Sequence, residues 1–146
     1  TFSDIKAGDW FYDAVLYTYE NGLMSGTGAA AFSPNQTLTR AMVAQVLYSM
    51  EGAPAGGTST FTDVAAGTWY ASAVNWAAAN GVVSGYGDGT FGPNDNVTRE
   101  QVAMILYSFA KSKGYDVSEK ASLSSFADMS SVSTYAQEAM SWAAGA

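Results

Sequence analysis

The chain contains two arginines, and each follows a threonine, as Thr39-Arg40 and Thr98-Arg99. Arginine makes planar, two-pronged hydrogen bonds to carboxylates, so both residues predict contacts to an acidic group. The threonines are typical N-caps, which would place each arginine in the first turn of a helix, where free N–H groups also attract anions. A cation there opposes the helix dipole, so stability alone would favour an acidic residue. An internal salt bridge to a nearby aspartate is the alternative explanation.

The residues that most enzymes use are absent or scattered. The 146 residues include no histidine and no cysteine, which excludes a histidine base, a serine–histidine triad and thiolate metal sites. The acidic residues form no obvious pair of the kind that glycosidases use. The net charge of −7 disfavours nucleic acid, and no apolar run approaches the ~18 to 20 residues of a membrane span. We therefore expect a binding module, not an enzyme, with no metal and no cofactor.

Two tryptophans and two glycines are further candidates for ligand contact. Trp10 and Trp69 precede predicted helices, and a tryptophan face suits the C–H surface of a sugar. Core packing is the alternative, and the usual burial of tryptophan favours it. Gly26 and Gly85 would let a ligand approach the backbone closely, although such glycines more often satisfy turns.

Other recurring residues are expected to be structural. Asp4, Asp63 and Asp128 precede the first predicted helix of each copy described below, and each is expected to cap a turn by accepting backbone N–H bonds. One aromatic position within those helices is expected to pack in the core or between copies; its residues are Tyr17, Trp76 and Trp142.

The chain is built from copies of one sequence unit. Residues 2–50 align with residues 61–109 without a gap, with 22 identities in 49 pairs. A third copy begins at Phe126, and it contains only a first half because Ala146 aligns with Asn80. The predicted divisions are repeat 1 at 1–52, a linker at 53–60, repeat 2 at 61–113, a linker at 114–125 and a half-repeat 3 at 126–146.

Each complete copy predicts a helix, a loop and a second helix, so the expected fold is all-α. In copy two, apolar residues at positions 70, 73, 74 and 77 follow the spacing of a one-faced helix. The second helices are expected to start after Thr39 and Thr98, and only Thr98 has the partner, Gln101, that completes a capping box. A short helical turn is expected near residues 117–121.

Taken in order, these motifs resemble the S-layer homology repeat. In copy two they are Trp-Tyr-x-x-Ala-Val from Trp69, Asn-Gly-x-x-x-Gly from Asn80, Gly-Asp-Gly-Thr-Phe-x-Pro-Asn from Gly87, and Thr-Arg-x-x-x-Ala from Thr98. The match covers nearly the whole chain. It implies a pseudo-threefold arrangement, in which three repeats each give a helix to a central bundle with grooves between neighbours. The third repeat is incomplete here.

The resemblance also implies a function. Family members are non-covalent anchors that hold surface proteins to secondary polymers of the bacterial cell wall, and in many the polymer carries pyruvylated sugars. The family's motif arginine contacts that acid group, which carries over to Arg40 and Arg99. The motif's glutamate is replaced by Met42 and Gln101, and copy three has no Thr-Arg. The expected location is extracellular, on the bacterial cell surface.

Two hypotheses follow. The first is a cell-wall anchoring module that binds an acidic polysaccharide in grooves between repeats, with contacts from Arg40, Arg99, Thr39, Thr98, Trp10, Trp69, Gly26 and Gly85. The second is a structural module that self-associates, because the half-repeat would expose an apolar helix face. That face consists of Ala136, Ala139, Met140 and Ala143.

Overall fold

The computed structural model describes residues 2–58 and 60–146, which contain five α-helices and no β-strand, so the all-α prediction is confirmed. None of these helices is both long and apolar enough to cross a bilayer. The helices are α1 (Tyr12–Glu20), α2 (Arg40–Met50), α3 (Ala71–Ala79), α4 (Arg99–Ser112) and α5 (Gln137–Gly145). We call residues 21–39 loop 1 and residues 80–98 loop 2.

Helices α2 and α4 begin where the threonines predict. Thr39 accepts a hydrogen bond from the Met42 backbone at 3.3 Å. Thr98 accepts one from the Gln101 backbone at 3.3 Å, and the Gln101 side chain accepts one from the Thr98 backbone at 3.0 Å. The capping box predicted at α4 alone is therefore confirmed, and each arginine is the first residue of its helix.

The prediction of a helical turn near residues 117–121 is wrong. Asp116 accepts a hydrogen bond from the Ser118 backbone at 2.9 Å, and such a side-chain bond competes with helical ones. A 3₁₀ turn forms instead at Leu123–Ser125, where Ser122 supplies the cap.

The main hydrophobic core lies between repeats. Helix α2 of repeat 1 packs on α3 of repeat 2, and α4 packs on α5. The largest cluster includes Leu47 from α2, Val74 from α3 and Phe91 from loop 2, all of them buried. Burying a side chain of this size contributes about 1.5 to 3 kcal/mol. Each repeat therefore depends on its neighbour for stability.

The recurring aromatic position on the first helices is packed in two repeats and open in one. Trp76 is 8% exposed and contacts Tyr48, with ring centroids 5.8 Å apart. Trp142 contacts Tyr107 in the same way at 5.6 Å. Tyr17 is 62% exposed, so the packing prediction is wrong there. The rings that pack on Trp76 and Trp142 belong to α2 and α4, and these helices pack on α3 and α5. Because neither of them covers this face of α1, Tyr17 stays exposed.

The half-repeat is not an open apolar face. Ala136 and Ala139 are fully buried, and Ala139 clusters with Ala103 and Tyr107 of α4. The expectation that this face is exposed is therefore wrong for these two residues, because α4 covers it. Ala143 is exposed.

Two of the three recurring aspartates fix the loops. Asp63 accepts hydrogen bonds from the backbone of Phe91 at 2.9 Å and of Gly92 at 2.8 Å, and Asp4 holds loop 1 in the same way. Acceptance of backbone N–H bonds is thus confirmed for both, although the donors lie in the distant loop. The prediction is wrong for Asp128, because its side chain accepts no capping hydrogen bond.

Candidate functional site

Arg40 is buried at the junction of repeats 1 and 2, with 7% of its surface exposed. Its Nε donates to the Phe91 carbonyl at 2.9 Å, and its Nη2 donates to the Ser84 carbonyl at 2.8 Å. The guanidinium carbon lies 4.6 Å from the ring centroid of Phe91 and 4.8 Å from that of Tyr86. Both contacts are within the range of cation–π attraction. Loop 2 therefore holds this cation on several sides.

The backbone at the start of α2 is held by the same loop. The Arg40 N–H donates to the Asp95 carbonyl at 2.9 Å, and the Ala41 N–H donates to the Pro93 carbonyl at 3.1 Å. These are two of the N–H groups that a helix start leaves without an internal partner. The N–H groups that were predicted to attract an anion at this helix start therefore donate to carbonyl oxygens of the protein instead.

The Arg40 guanidinium has carbonyl partners and no ion pair within the described residues. The ion pairs found there involve lysines, Lys113 with Glu51 at 2.7 Å and Lys120 with Glu138 at 2.8 Å. The salt bridge considered from the sequence as an alternative for Arg40 is therefore replaced by hydrogen bonds to neutral groups.

Arg99 occupies the equivalent position in repeat 2 but is exposed. Its side chain makes no hydrogen bond or ion pair with any residue that the structure describes. It lines a groove of about 730 Å³, which we call the Arg99 groove. This guanidinium remains available to an external acceptor. Other lining residues are Leu38, Val97, Leu106, Phe126, Asp128 and Met129.

An exposed aromatic residue precedes the first helix of every copy. Trp10 is 93% exposed, Trp69 is 58% exposed and Tyr135 is 56% exposed. The core-packing explanation that the sequence favoured for the two tryptophans is wrong, because neither ring enters the core. Sequence reasoning missed Tyr135, although the alignment of Trp142 with Trp76 also aligns Tyr135 with Trp69.

The two candidate glycines are required by the packing of their own repeats. A Cβ atom on Gly26 would lie 2.6 Å from the Ala31 carbonyl oxygen and 2.7 Å from the Phe2 ring. On Gly85 it would lie 2.5 Å from both the Thr90 carbonyl oxygen and the Phe61 ring. These contacts explain the glycines without a ligand.

A second groove, of about 760 Å³, lies beside loop 1 and is called the loop-1 groove. Its wall combines loop 1, one side of α2 and the exposed ring of Trp69. It is mostly apolar in lining, and its volume is typical of ligand sites. Its lining residues include Ser25, Gly26, Phe32, Pro34, Gln36, Met42, Val46 and Trp69.

The structure does not bring the eight sequence candidates into one site. Trp69 and Gly26 line the loop-1 groove, whereas Arg99 lines the Arg99 groove. Arg40 and Gly85 lie at or beside the buried junction of repeats 1 and 2. Thr39 and Thr98 cap their helices, and Trp10 lies outside both grooves.

Tyr86 covers the buried arginine and is kept protonated. Burial raises the pKa of its hydroxyl, and the hydrogen bond that it donates to Asp95 Oδ2 at 2.8 Å raises it further, while the Arg40 charge lowers it. The net shift is upward. At neutral pH the hydroxyl therefore remains a donor, and about half of the residue faces solvent.

Glu100 attaches half-repeat 3 to the start of α4. It accepts hydrogen bonds from the Ser133 backbone at 2.9 Å, from the Ser133 hydroxyl at 2.8 Å and from the Tyr135 hydroxyl at 3.2 Å. These donors, the Ser133 backbone first, lower the pKa of the Glu100 carboxyl. The contacts fix the orientation of the exposed Tyr135 ring.

Comparison with known proteins identifies relatives of this arrangement. A family model described as the S-layer homology domain matches residues 1–42 and 60–103. The chain is 30% identical over 132 residues to the surface-layer 125 kDa protein of Lysinibacillus sphaericus. It is 32% identical over 108 residues to S-layer protein sap of Bacillus anthracis, and 32% identical over 140 residues to an endoglucanase of Bacillus sp. strain KSM-635.

These relatives are much longer than the chain. The alignments cover 90%, 73% and 95% of this chain, in the same order, but only 11%, 13% and 15% of the relatives. Surface-layer proteins and an enzyme therefore share the same short module with this chain.

Proposed function

This chain belongs to the S-layer homology family, and on that basis we propose that it binds an acidic secondary polysaccharide of the bacterial cell wall and catalyses no reaction. Members of the family are cell-surface anchoring modules in S-layer proteins and cell-wall enzymes. The chain is accordingly a module of the cell surface. The finer proposal concerns what it binds there and through which residues.

The observation that carries the proposal is the exposed aromatic residue at the same position of every copy. Leaving a large ring in water forgoes about 1.5 to 3 kcal/mol of burial, so folding alone gives no reason to repeat it. Trp10, Trp69 and Tyr135 each keep half or more of their surface accessible. Aromatic faces of this kind suit the C–H surfaces of sugar rings.

Arg99 supplies the contact to an acidic substituent. Its guanidinium is exposed in a groove, is free of protein partners in the described part of the chain, and is the first residue of α4. A carboxylate there would accept two parallel hydrogen bonds and would face the positive end of the helix dipole. Asp128 lines the same groove, so its charge opposes the approach of an anion.

Arg40 has a different role in the proposal. Because its side chain is buried and bonded to Phe91 and Ser84, it contributes by holding loop 2 in place and does not contact the polymer. The Thr-Arg motif thus serves both purposes, with a structural arginine in repeat 1 and a binding arginine in repeat 2.

A binding assay tests the proposal. The chain is sedimented with purified cell-wall material that retains its secondary polysaccharide, and with the same material after that polymer has been removed. We expect binding only to the first. Arg99→Ala should weaken binding about tenfold or more, as expected for loss of a charged hydrogen bond.

Three further variants complete the design. Trp69→Ala should weaken binding through loss of the aromatic face, and Asp128→Asn should strengthen it by removing the opposing charge. Lys6→Ala removes the same charge as Arg99→Ala at an exposed position outside both grooves and should bind as the parent does. Equal binding by Arg99→Ala and Lys6→Ala would refute the assigned contact.

A further inference from the structure

The exposed ring of the third copy lacks the neighbour that the other two exposed rings have. Trp10 contacts the next residue, Phe11, with ring centroids 5.4 Å apart, and Trp69 contacts Tyr70 in the same way at 5.1 Å. Both pairs are edge-to-face, which is a favourable arrangement for aromatic rings. Tyr135 is followed by an alanine, and it makes no ring contact with any residue that the structure describes. A polar contact must therefore limit the motion of this side chain.

Glu100 supplies that contact. The Tyr135 hydroxyl donates to Glu100 Oε1 at 3.2 Å, while Ser133 donates to the same carboxylate from its backbone N–H at 2.9 Å and from its hydroxyl at 2.8 Å. The two shorter bonds fix the carboxylate, and the longer one ties the ring to it. Because the hydroxyl is the tyrosine atom farthest from the backbone, a bond there restricts rotation of the whole side chain.

The sequence provides these partners at this junction and not at the preceding one. The alignment of the first two copies pairs Glu100 with Ala41, and the alignment of the third copy pairs Ser133 with Gly67. Neither alanine nor glycine has a side chain that forms hydrogen bonds. The carboxylate contact therefore occurs where the neighbouring ring is missing.

The hydroxyl and the carboxylate are in the right protonation states for this bond at neutral pH. Burial raises the pKa of the Tyr135 hydroxyl, the hydrogen bond to Glu100 raises it further, and the net shift is upward although Ser133 and the Arg40 charge lower it. The donors on Glu100, the Ser133 backbone first, lower the pKa of its carboxyl. A protonated hydroxyl thus faces a charged acceptor, which strengthens the bond.

We propose that Glu100 is a positioning residue for polysaccharide binding, which acts through Tyr135 and does not itself contact the polymer. It holds the ring of the third copy ready to meet a sugar face, as the adjacent rings do for Trp10 and Trp69. A side chain that is already ordered loses less entropy when a ligand binds, so the restraint strengthens binding. This inference rests on the polysaccharide proposal above.

The charge of Glu100 has the opposite effect on an acidic polymer. Glu100 follows the binding residue Arg99 in the first turn of α4, so its negative charge opposes the approach of an anion, as that of Asp128 does. Loss of the charge alone would strengthen binding, whereas loss of the restraint on the ring would weaken it. The test must therefore hold the charge constant.

The first comparison uses two uncharged variants, Glu100→Gln and Glu100→Ala, in calorimetric titrations with the purified secondary polysaccharide. The glutamine amide can accept from the Ser133 N–H and donate to the hydroxyls of Ser133 and Tyr135, because a hydroxyl oxygen also accepts. Alanine can do neither. We expect the alanine variant to bind about threefold more weakly than the glutamine variant, as expected for the ordering of one side chain.

A second background identifies the residue through which Glu100 acts. Tyr135→Phe keeps the ring and removes its bond to Glu100, while both bonds from Ser133 remain. Alone, it should weaken binding about threefold for the same reason. In this background we expect Glu100→Gln and Glu100→Ala to bind alike, whereas an effect that passes through Ser133 would persist. Thermal unfolding checks that each variant is folded.

The control and the contrary outcomes are distinct. Glu20→Ala removes an exposed acidic side chain outside both grooves and should bind as the parent does. Equal binding by the two Glu100 variants with Tyr135 present, or a difference that persists with Tyr135→Phe, would overturn the positioning role and leave the polysaccharide proposal standing. Absence of binding by the unmodified chain would instead refute the polysaccharide proposal, and the positioning role with it.

Discussion

Replacement of Arg40 by alanine should destabilise the fold strongly, while the same change at Arg99 should not. The Arg40 variant loses two hydrogen bonds from a charged donor and leaves the carbonyl of buried Phe91 without that donor, whereas Ser84 is exposed. Such bonds contribute about 1.5 to 3 kcal/mol each, and an unsatisfied buried group costs about 1 to 3 kcal/mol. Removing the charge also removes its desolvation penalty, which leaves a net loss of about 3 kcal/mol.

This loss converts into a shift of the melting temperature. For 146 residues, an unfolding entropy of about 0.3 kcal/mol per kelvin gives a decrease of roughly 10 °C. Arg99→Ala, at an exposed position, should change the free energy of unfolding by less than about 0.5 kcal/mol. Arg40→Lys should lie between the two, because an ammonium group lacks the planar fork that spans both carbonyls.

Thermal and urea unfolding followed by circular dichroism measure these differences directly. The comparison is well matched, because both arginines are the first residue of a helix and follow a capping threonine. If Arg40→Ala and Arg99→Ala had equal midpoints, the account of Arg40 as the residue that joins repeats 1 and 2 would be refuted.

Three further perturbations test other parts of the structure. Burial raises the pKa of Asp63, but the backbone N–H donors together outweigh it and lower the pKa below the ordinary value of 3.8. The contribution of this carboxylate to the free energy of unfolding is therefore complete above pH 3.8 and is lost as the pH falls through the folded-state pKa. When unfolding is measured as a function of pH, Asp63→Asn should lose less stability on acidification than the parent chain does. Gly85→Ala should destabilise by about 1 to 3 kcal/mol in urea melts, whereas Gly8→Ala, with open space around its Cβ, should be near neutral. Trp76→Ala should cost about 3 to 5 kcal/mol, and Tyr17→Ala less than about 0.5 kcal/mol, by the same assay.

Local features were predictable from the sequence because they depend on neighbouring residues. The helix starts at Thr39 and Thr98 follow from side-chain capping, and the capping box requires only Gln101 three positions later. The repeat boundaries stay a prediction that rests on the identities along the chain.

The different environments of the two arginines were not predictable in this way. Arg40 and Arg99 follow the same residue type and start the same kind of helix, so local reasoning assigns them one role. What separates them is distant, since loop 2 covers Arg40 and no described loop covers Arg99. The pairing of α2 with α3 is equally non-local, because each helix has an apolar face that fits several partners.

The exposed aromatic residues show the limit of composition-based reasoning. Trp10 and Trp76 are the same residue type near or within first helices, yet one is 93% exposed and the other 8%. Burial of tryptophan is an average tendency, and the position relative to the neighbouring second helix decides each case. The sequence alignment pairs Tyr135 with Trp69 and so could have identified its position, whereas its 56% exposure required the structure.

The central claim is that the domain recognises the acid groups of a wall polysaccharide through Arg99 and exposed aromatic rings. Calorimetric titration with the purified polymer, before and after conversion of its carboxylates to neutral amides, tests this most directly. The account predicts clear binding of the acidic form, much weaker binding of the amidated form, and no difference between the two for Arg99→Ala. Equal affinity of the unmodified domain for both polymers would contradict it.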